Sequence, residues 1–562
     1  MLLKLSDMPK LTIDSHAVEV DNGTTILDAA NKLGIKIPSM CFLKKYKPST
    51  SCMVCVVKVA GWDNLVPACG TIAEDDMRVE SNSEEVCQAR KAALELLLSD
   101  HVGDCMGPCQ MTCPANMNIP LMIRQIASGK LSEAIATVKK DIALPAVLGR
   151  ICPAPCERAC RRAVYDEAVS ICLLKRYVAD VDLQSSDPYL PACNPMQDKR
   201  VAIVGAGPAG LAAAYYLRQQ GYGCMIFDER EKPGGMLQYA VPEAELPRSV
   251  LDKEISLIEK LGVEFQGRTR VGTTLSMDDL RRDFDALFVA VGNLSPGDAS
   301  WLGLETDNSG IVINAKTYET SLPGVFAGGD AVRQRRLQPS QPLRRSRLAV
   351  RAVADGKEAA VSMGQFLSGQ TVTGAAKPFN TRIGQLKNGE IEKFMAHVSK
   401  AARVIPSQKD GGFTDTQARP VRNHPFRVGP GRQISNGARQ EAARCLHCDC
   451  RKGESCKLRQ YAQDYEARPS RYKGERRSFI QHFQHPDVIY EPGKCINCGL
   501  CIQIAAEADE ELGLTFVGRG FDVQVAVPFD RSMAEALKHA ANRCVAACPT
   551  GALAFKDNTE TK

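Results

Sequence analysis

The chain has 562 residues, of which 44% are hydrophobic and 24% are charged, and its formal net charge is +6. This length predicts about four domains, and the composition is that of a soluble globular protein. The nearly balanced charge argues against a dedicated nucleic-acid-binding protein, which would carry a stronger basic excess. The N-terminal segment has no apolar stretch that predicts a signal peptide, and no apolar run in the chain predicts a membrane span.

Cysteine is the unusual residue of this sequence. The chain contains 23 cysteines, of which eleven precede residue 161 and nine follow residue 444. Disulfide scaffolds are typically small secreted domains, and this long chain without a signal peptide does not fit that class. We therefore expect a cytoplasmic protein, in a reducing compartment where thiols bind metal.

The first 80 residues are predicted to form a small β-rich domain. The segments LTIDSHAVEV and MVCVVKVAGW alternate as strands do, and TTILDAANKLGI between them predicts a helix capped by Thr24 or Thr25.

Four cysteines of this domain have the spacing C-x10-C-x2-C-x13-C, and they are Cys41, Cys52, Cys55 and Cys69. Four thiolates can hold a [2Fe–2S] cluster, and a structural zinc site is the alternative. The spacing and the flanking IPSMCF and VPACGT resemble the N-terminal [2Fe–2S] domain of the large iron–sulfur subunit of complex I and of multimeric iron hydrogenases. This resemblance implies a β-grasp domain with one [2Fe–2S] cluster.

Residues 81–195 are predicted to be mainly helical, because QARKAALELLLSDH and KLSEAIATVKKDI carry apolar residues at helical spacing. Two cysteine-rich turns interrupt the helices, HVGDCMGPCQMTCPANMNIP and GRICPAPCERACRR. These turns resemble the helical double-[4Fe–4S] domain of the glutamate synthase small subunit and of dihydropyrimidine dehydrogenase. The resemblance implies two interleaved ligand sets. These are Cys113, Cys152 and Cys156 for one cluster, and Cys105, Cys109 and Cys160 for the other.

Two positions depart from that family. His101 stands where the family has an outer cysteine, and with Cys105 it resembles the H-x3-C start of the histidine-ligated cluster of the complex I subunit. It is therefore either a ligand or an ordinary residue at a helix C-terminus. Lys175 stands where the family has a Glu or Gln ligand, and a protonated lysine cannot bind iron. Cys172 is either the substitute ligand or a buried apolar side chain.

Residues 196–375 alternate strands and helices, which predicts an α/β domain. The segment VAIVGAGPAG predicts a strand over 200–204, a glycine turn and a helix over 208–220. Such a turn brings backbone close to a pyrophosphate at the helix N-terminus, and an acid after the next strand binds ribose hydroxyls. The candidate residues are Gly205, Gly207, Pro208, Ala209, Gly210, Asp228 and Glu229.

Three later segments resemble further motifs of the glutamate synthase small-subunit family. KPGGMLQYAVPE is similar to the segment that approaches the flavin, DALFVAVG to a second dinucleotide-side strand, and TSLPGVFAGGDAV to the C-terminal flavin motif. The resemblance implies bound FAD, with an aspartate on its ribityl chain. It adds the candidate residues Gly235, Met236, Leu237, Gly292, Gly329 and Asp330.

The NADPH-binding insert of that family has no counterpart here. Sixteen residues separate Asn293 from Gly310, whereas a βαβ unit needs roughly 30. The sequence also lacks a second G-x-G-x-x-G fingerprint. We therefore expect the FAD to exchange electrons with clusters or with a partner protein rather than with NAD(P)H bound in the family's manner.

A basic segment and a polar linker follow. Seven arginines lie between Arg333 and Arg351, and they form either a solvated loop or a docking site for an acidic partner or an anionic ligand. Residues 376–440 are polar with scattered Gly and Pro, which predicts a linker.

The C-terminal part contains two more cysteine motifs. Residues 441–475 include the spacing C-x2-C-x-C-x5-C, formed by Cys445, Cys448, Cys450 and Cys456. These four thiols would hold one [4Fe–4S] cluster or one zinc ion. Residues 476–562 resemble a bacterial ferredoxin with a single [4Fe–4S] cluster, because Ala505 occupies the position of the additional cysteine and Cys544 is left spare. The resemblance implies the ligands Cys495, Cys498, Cys501 and Cys548.

The sequence thus predicts a multidomain α/β and α+β protein with a β-grasp domain, a helical double-cluster domain, a Rossmann-like FAD domain and a ferredoxin-like domain. Its expected cofactors are FAD, one [2Fe–2S] cluster and three to four [4Fe–4S] clusters. No acid–base pair or nucleophile indicates a catalytic residue for carbon chemistry. We expect an electron-transfer subunit of an oxidoreductase complex, next to subunits such as an NADH/FMN flavoprotein, a metal-dependent dehydrogenase or a hydrogenase, and with ferredoxin as a further partner.

Two other functions stay open at this stage. One is a self-sufficient NAD(P)H-dependent reductase of the glutamate synthase small-subunit type. The other is a mainly structural subunit in which the FAD no longer exchanges electrons with the clusters.

Overall fold

The computed structural model describes residues 8–294, 300–307, 310–332, 348–404, 436–472 and 474–556. The chain forms two compact units. Unit 1 comprises residues 1–107, 378–397 and 447–562, and unit 2 comprises residues 108–377 and 398–446. Residues 333–347 of the predicted basic loop and 405–435 of the predicted linker lie outside the described residues. Within the described part of the chain, no helix combines the length and the apolar character that crossing a membrane requires.

The N-terminal part of unit 1 is a five-stranded sheet with the order β2-β1-β5-β3-β4, in which β1 and β5 are parallel. Thr25 caps the first helix, because its hydroxyl accepts a hydrogen bond of 3.1 Å from the amide of Asp28. The predicted strand segment LTIDSHAVEV is a hairpin that turns at Asp14 and Ser15. The elements are β1 Lys10–Ile13, β2 His16–Glu19, α1 Ile26–Lys32, β3 Val56–Val59, β4 Val66–Pro67, β5 Arg78–Glu80 and α2 Glu84–Ser99.

Unit 2 begins with a helical bundle whose apolar faces form one core with the flavin domain. The helices are α3 Pro108–Thr112, α4 Ile119–Ala127, α5 Leu131–Lys139, α6 Pro145–Ile151, α7 Pro155–Arg158 and α8 Ile171–Leu183. The buried Lys139 ammonium and the Asp182 carboxylate join α5 to α8 at 2.9 Å.

The flavin domain of unit 2 contains a parallel sheet with the order β12-β9-β6-β7-β8. The strand predicted at 200–204 and the helix predicted from residue 208 are confirmed. The strands are β6 Arg200–Val204, β7 Gly223–Phe227, β8 Val263–Gln266, β9 Ala286–Val289, β10 Thr306–Asp307, β11 Gly310–Ile311 and β12 Val325–Ala327. The helices are α9 Pro208–Gln219, α10 Met236–Tyr239, α11 Arg248–Lys260, α12 Met277–Asp283 and α13 Ala349–Leu367.

The remaining elements belong to unit 1, except α15, which belongs to unit 2. In the ferredoxin-like part, β13 pairs with β16, β14 pairs with β15, and α17 packs on α19 around an apolar core. The elements are α14 Glu390–Met395, α15 Asn436–Ala442, α16 Lys457–Asp464, β13 Val488–Tyr490, α17 Leu500–Glu507, β14 Thr515–Val517, β15 Gln524–Ala526, α18 Met533–Ala536, α19 Ala541–Ala547 and β16 Leu553–Phe555. The predicted multidomain fold class is confirmed.

Candidate cofactor sites

The first site is the group of four buried thiols in the N-terminal domain, Cys41, Cys52, Cys55 and Cys69. Cys41 forms hydrogen bonds with Cys52 and with Cys69, and these bonds hold the pKa of the Cys41 thiol well below its ordinary value. Cys55 also forms a hydrogen bond with Cys69. All four predicted residues thus lie together, an arrangement that suits the four thiolate ligands of a [2Fe–2S] cluster.

A second site lies in unit 2, where a small cavity is lined by four cysteines. Three of them are the predicted Cys113, Cys152 and Cys156, and the fourth is Cys172. A hydrogen bond with Cys172 lowers the pKa of the Cys152 thiol to about 6, against the opposing effect of burial. The amide of Cys172 donates to the Glu157 carboxylate at 2.9 Å, which fixes the first turn of α8 beside the cavity.

Lys175 lines the same cavity from the next turn of α8. Its side chain is buried, and burial lowers the pKa of the ammonium group. The charges of the surrounding thiols, Cys172 first and then Cys152, outweigh this effect and raise the pKa of Lys175 above its ordinary value. A cation therefore occupies the position at which the resembling family has a ligand, and a fourth thiol lies one turn earlier.

Two other predicted ligands, Cys109 and Cys160, pack against a core of unit 2 that includes Cys445. The Arg162 guanidinium explains how Cys445 is held there. It donates to the carbonyl of Arg444 at 2.6 Å and to the carbonyl of Ser399 at 2.8 Å, and it is fully buried. Arg162, two residues after Cys160, therefore binds Arg444, the residue just before Cys445. The spacing of the cysteines does not reveal this relationship.

The predicted four-cysteine motif of residues 445–456 is divided between the two units. Cys445 belongs to unit 2, whereas Cys448, Cys450 and Cys456 belong to unit 1. In unit 1 the amide of Cys450 donates to the carbonyl of Cys105 at 3.3 Å. Cys105 is therefore a spatial neighbour of Cys450 that the linear spacing does not reveal.

The ferredoxin-like part contains a small cavity. All four predicted ligands line it, namely Cys495, Cys498, Cys501 and Cys548. Cys544 is fully buried and its thiol donates to the carbonyl of Cys501 at 3.6 Å. It packs in the core beneath the cavity, as a structural residue would.

The flavin motif forms a tight turn with one open face. A Cβ atom at Gly210 would lie 2.0 Å from the carbonyl oxygen of Gly205, and one at Gly205 would lie 2.5 Å from the carbonyl oxygen of Ala290. At Gly207, in contrast, a Cβ atom would meet nothing within 4 Å. The glycines therefore serve different purposes, since two allow chain packing and Gly207 leaves space in which a pyrophosphate can approach the backbone.

The other predicted flavin residues surround this turn. The Asp228 carboxylate accepts hydrogen bonds from the amides of Ala206 at 2.7 Å and Arg230 at 2.8 Å. A Cβ atom at Gly235 would lie 2.8 Å from the Cα of Gly207, and one at Gly329 would lie 3.0 Å from the Cβ of Ala209. Glu229 and Met236 are exposed, Leu237 is buried, Pro208 begins α9, and Gly292 and Asp330 follow β9 and β12. These surroundings fit a dinucleotide cofactor.

Sequence reasoning did not identify a buried polar group next to the C-terminal flavin motif. The amide of Gly329 donates to the Asp355 carboxylate at 3.1 Å, and the Tyr318 hydroxyl donates to the same carboxylate at 3.1 Å. Burial raises the pKa of Asp355 to about 7. Its position on α13 gave no sequence signal, because a lone aspartate in a helix is ordinary.

Comparison with known families agrees with the motifs. Residues 6–84 match the 2Fe-2S iron-sulfur cluster binding domain, residues 80–187 match dihydropyrimidine dehydrogenase domain II with its 4Fe-4S cluster, and residues 199–356 match pyridine nucleotide-disulphide oxidoreductase. Three parts of the chain thus match cofactor-binding domain families, and these matches support an oxidoreductase. The predicted resemblances and the predicted kinds of cofactor domain are therefore confirmed.

Relatives share only part of this chain. The beta subunit of the NADP(+)-dependent formate dehydrogenase of Moorella thermoacetica is 41% identical over 206 residues, which are 33% of this chain and 29% of that protein. The beta subunit of the NADPH-Fe(3+) oxidoreductase of Geobacter sulfurreducens is 40% identical over 189 residues, 33% of this chain and 28% of that protein. The NAD-dependent dihydropyrimidine dehydrogenase subunit PreT of Escherichia coli is 39% identical over 193 residues, which are 34% of this chain and 46% of that protein. The matches thus span less than half of each of these relatives.

Among solved structures, the NAD+-reducing [NiFe]-hydrogenase aligns with 99% of this chain and 90% of its own, at 11% identity and a TM-score of 0.34. A similarity of this size supports no functional conclusion.

Proposed function

We propose that the chain is an electron-transfer subunit of a multi-subunit oxidoreductase, in which one FAD exchanges electrons with iron–sulfur clusters. The observation that carries the proposal lies at the start of α13. Val350 lines the cavity that also contains Cys113, Cys152, Cys156 and Cys172. Two residues later, the Cβ of Ala352 faces the flavin motif, 4.0 Å from the position that a Cβ atom at Gly329 would occupy. One helical turn thus separates the flavin motif from a thiol-lined cavity.

The chemistry would come from the cofactors, since FAD accepts two electrons and can release them singly, and each cluster carries one. The protein's part is to hold these groups close together and to set their environment. Gly207 leaves the open face of the turn for the pyrophosphate, and Asp228 offers its carboxylate at the end of β7. Lys175 places a positive charge in the cavity of the neighbouring cluster site.

Unit 1 supports the same function with its own series of sites. Cys41 and Cys52 of the [2Fe–2S] site and Cys498 of the ferredoxin-like site belong to one apolar cluster, which also contains Leu500. The two sites are near enough for the charges of Cys41 and Cys498 to interact. Direct neighbourhood of two cluster sites in one core is the arrangement expected for electron transfer between them.

The connection after β9 favours cluster partners over a bound nicotinamide. Residues 290–324 lead from β9 to β12, and the described part of this connection forms a single 3-10 turn and the hairpin of β10 and β11. We infer that electrons reach the FAD through clusters, and that a partner subunit such as an NADH/FMN flavoprotein, a dehydrogenase or a hydrogenase completes the reaction. The relatives named as beta subunits support an assembly of this kind.

The expected compartment is a reducing cytoplasm. All 23 cysteines lie within the described residues, and none forms a disulfide bond. Thiols in this state are available to iron, which supports assembly of the clusters in a reducing environment.

A second candidate is a self-sufficient NAD(P)H-dependent reductase. It is favoured by the match of residues 199–356 to a pyridine nucleotide-dependent family. The experiment that separates the two candidates uses the full chain, reconstituted anaerobically with iron, sulfide and FAD. NADH and NADPH are added separately, and the flavin absorbance is followed. We expect neither nucleotide to reduce the flavin, while dithionite or reduced ferredoxin does so readily. Rapid reduction by either nucleotide would replace the proposed function with the second candidate.

A further inference from the structure

Unit 1 brings together three cysteines from two distant parts of the chain. The amide of Cys450 donates to the carbonyl of Cys105 at 3.3 Å, and the amide of Gly453 donates to the carbonyl of Cys450 at 3.3 Å. Cys456 follows this turn at the N-cap position of α16. The charges of Cys450 and Cys105 both act on the Cys456 thiol, as does the charge of Cys548 in the ferredoxin-like part.

The Cys105 thiol is held on its other side by the segment after residue 378. The amide of Thr381 donates to Cys105 Sγ at 3.5 Å, and the Thr381 hydroxyl lies 3.3 Å from the same sulfur. The Thr381 hydroxyl also donates to the carbonyl of Gly103 at 2.8 Å. The hydrogen bond from the Thr381 amide suits a sulfur that bears negative charge, as a metal-bound thiolate does.

His101 lies four residues before Cys105, directly after the end of α2. Its Nδ1 atom is buried, and it has no hydrogen-bond partner among the described residues. A buried polar nitrogen without a partner is costly, so its presence needs an explanation. An imidazole nitrogen that lacks another partner is available as a metal ligand.

The residues around His101 are also neighbours of the thiol group formed by Cys105, Cys450 and Cys456. The amide of Val102 donates to the carbonyl of Gly493 at 2.7 Å. A Cβ at Gly103 would lie 2.6 Å from Cε of Lys494, and the charge of this lysine acts on Cys450. A Cβ at Gly551 would lie 2.2 Å from Cys450 Sγ. Glycine at position 551 thus leaves the space that this sulfur occupies.

We infer that His101, Cys105, Cys450 and Cys456 hold one [4Fe–4S] cluster with a single imidazole ligand. The inference rests on the proposed function, because the cluster belongs to the same series of redox sites. Lys452 Nζ, between Cys450 and Cys456, donates to the carbonyl of Cys548 at 2.7 Å, and the Lys457 amide donates to the carbonyl of Pro549 at 2.9 Å. The site therefore adjoins the ferredoxin-like cavity, a position from which a redox cluster could exchange electrons with the cluster held there.

The assignment divides the motif of residues 445–456 between two clusters. Cys450 and Cys456 join His101 and Cys105 in unit 1, and Cys445 is left in unit 2 with Cys109 and Cys160 as thiols of a separate cluster. These two sites, the cavity beside Cys172 and the ferredoxin-like cavity make four [4Fe–4S] sites. The N-terminal domain adds one [2Fe–2S] site.

The first test asks whether Cys105 and Cys450 serve the same cluster. The full chain is reconstituted anaerobically as Cys105→Ala, Cys450→Ala and the double variant, and iron, acid-labile sulfide, zinc and FAD are measured. We expect each single variant to lose about four irons and the double variant to lose no more than either one. A loss of about eight irons in the double variant would assign the two cysteines to different clusters. Stoichiometric zinc in the wild-type chain, removed by either substitution, would also overturn the inference. Retained FAD reports that unit 2 is folded.

The second test concerns the imidazole. Pulsed EPR of the reduced wild-type chain should show hyperfine coupling from a histidine nitrogen, and His101→Cys should abolish this coupling while it retains the iron. His397→Ala is the matched control, because His397 belongs to the same unit and contacts Phe483. Coupling that survives in His101→Cys would exclude His101 as a ligand. Both tests measure composition and spectra, so their failure leaves the outcome of the NAD(P)H experiment unaffected.

Discussion

Cys172 and Lys175 lie one turn apart on α8 and face the same thiol-lined cavity. Residues three apart on a helix share a face. This spacing therefore places the charged Lys175 side chain next to the Cys172 thiol, a potential ligand. In the resembling family the position of Lys175 carries a Glu or Gln ligand. We propose that Cys172, one turn before Lys175, is the fourth ligand of this cluster.

Substitution of Cys172 tests this proposal. We predict that Cys172→Ala loses most of the cluster bound by Cys113, Cys152 and Cys156, measured as about four irons per chain. Cys224→Ala is the matched control, because Cys224 is a buried thiol of the same unit that packs in the core. The double variant Cys172→Ala/Lys175→Glu should regain iron, since it restores the ligand type of the family. Equal iron content in Cys172→Ala and in the control would contradict the assignment.

Lys175 should raise the reduction potential of that cluster, because its positive charge stabilises the added electron. We expect Lys175→Met to lower the midpoint potential by about 60 mV or more, which corresponds to a tenfold change for a one-electron couple. An EPR-monitored redox titration measures this shift. An unchanged midpoint, with the cluster fully retained, would mean that the lysine charge is neutralised by its surroundings.

The open face of Gly207 gives a prediction for flavin binding. Because a Cβ at this position meets nothing within 4 Å, Gly207→Val should leave the fold intact and block the pyrophosphate. We expect the affinity for FAD to fall at least about tenfold, or about 1.4 kcal/mol, in a titration of the apoprotein. Gly474→Val, at another glycine with open space around it, should bind FAD normally. Normal binding by Gly207→Val would place the cofactor elsewhere.

Glu254 makes stability depend on pH near the double-cluster domain. Its buried carboxylate accepts hydrogen bonds from the amides of Ala146 and Val147, at the start of the helix that leads to Cys152. Burial outweighs these bonds and raises the pKa of Glu254 from 4.5 to about 7. The folded state therefore holds this proton more tightly than the unfolded state, and stability falls as pH rises from 4.5 to about 7.

We predict that Glu254→Gln removes this decline, which amounts to about 3 kcal/mol. Hydrogen exchange of the α6 amides across this pH range measures the effect. The control is Glu259→Gln, at an exposed position of α11, the helix that carries Glu254. This variant should keep the wild-type dependence of stability on pH. The same slope in both variants would show that another group titrates.

Local chemistry made much of the fold predictable. The Thr25 cap, the strand at residues 200–204, the helix from Pro208 and the acid after β7 all follow from residues within one element or one turn of each other. The ferredoxin-like ligands were predictable for the same reason, because three of them lie within a single short turn. The resemblance to known families supplied the distant Cys548.

The grouping of the remaining thiols could not be read from spacing. Cys450 is close to Cys448 in sequence, but its amide is bonded to the carbonyl of Cys105. Such pairings depend on long-range packing, as in the buried contact of Arg162 with the Arg444 carbonyl, which has no motif of its own. Lys175 was recognised as a departure from the family, but only the cavity shows that it remains beside the thiols.

The most direct test of the account follows electrons from cluster to flavin in the same chain. The reconstituted chain and its Cys172→Ala variant are mixed anaerobically with reduced ferredoxin, and the flavin absorbance is recorded by stopped flow. We expect rapid flavin reduction in the wild-type chain and reduction at least about tenfold slower in Cys172→Ala, which corresponds to about 1.4 kcal/mol in the barrier. Equally fast flavin reduction in a variant that has lost this cluster would contradict the proposed electron path.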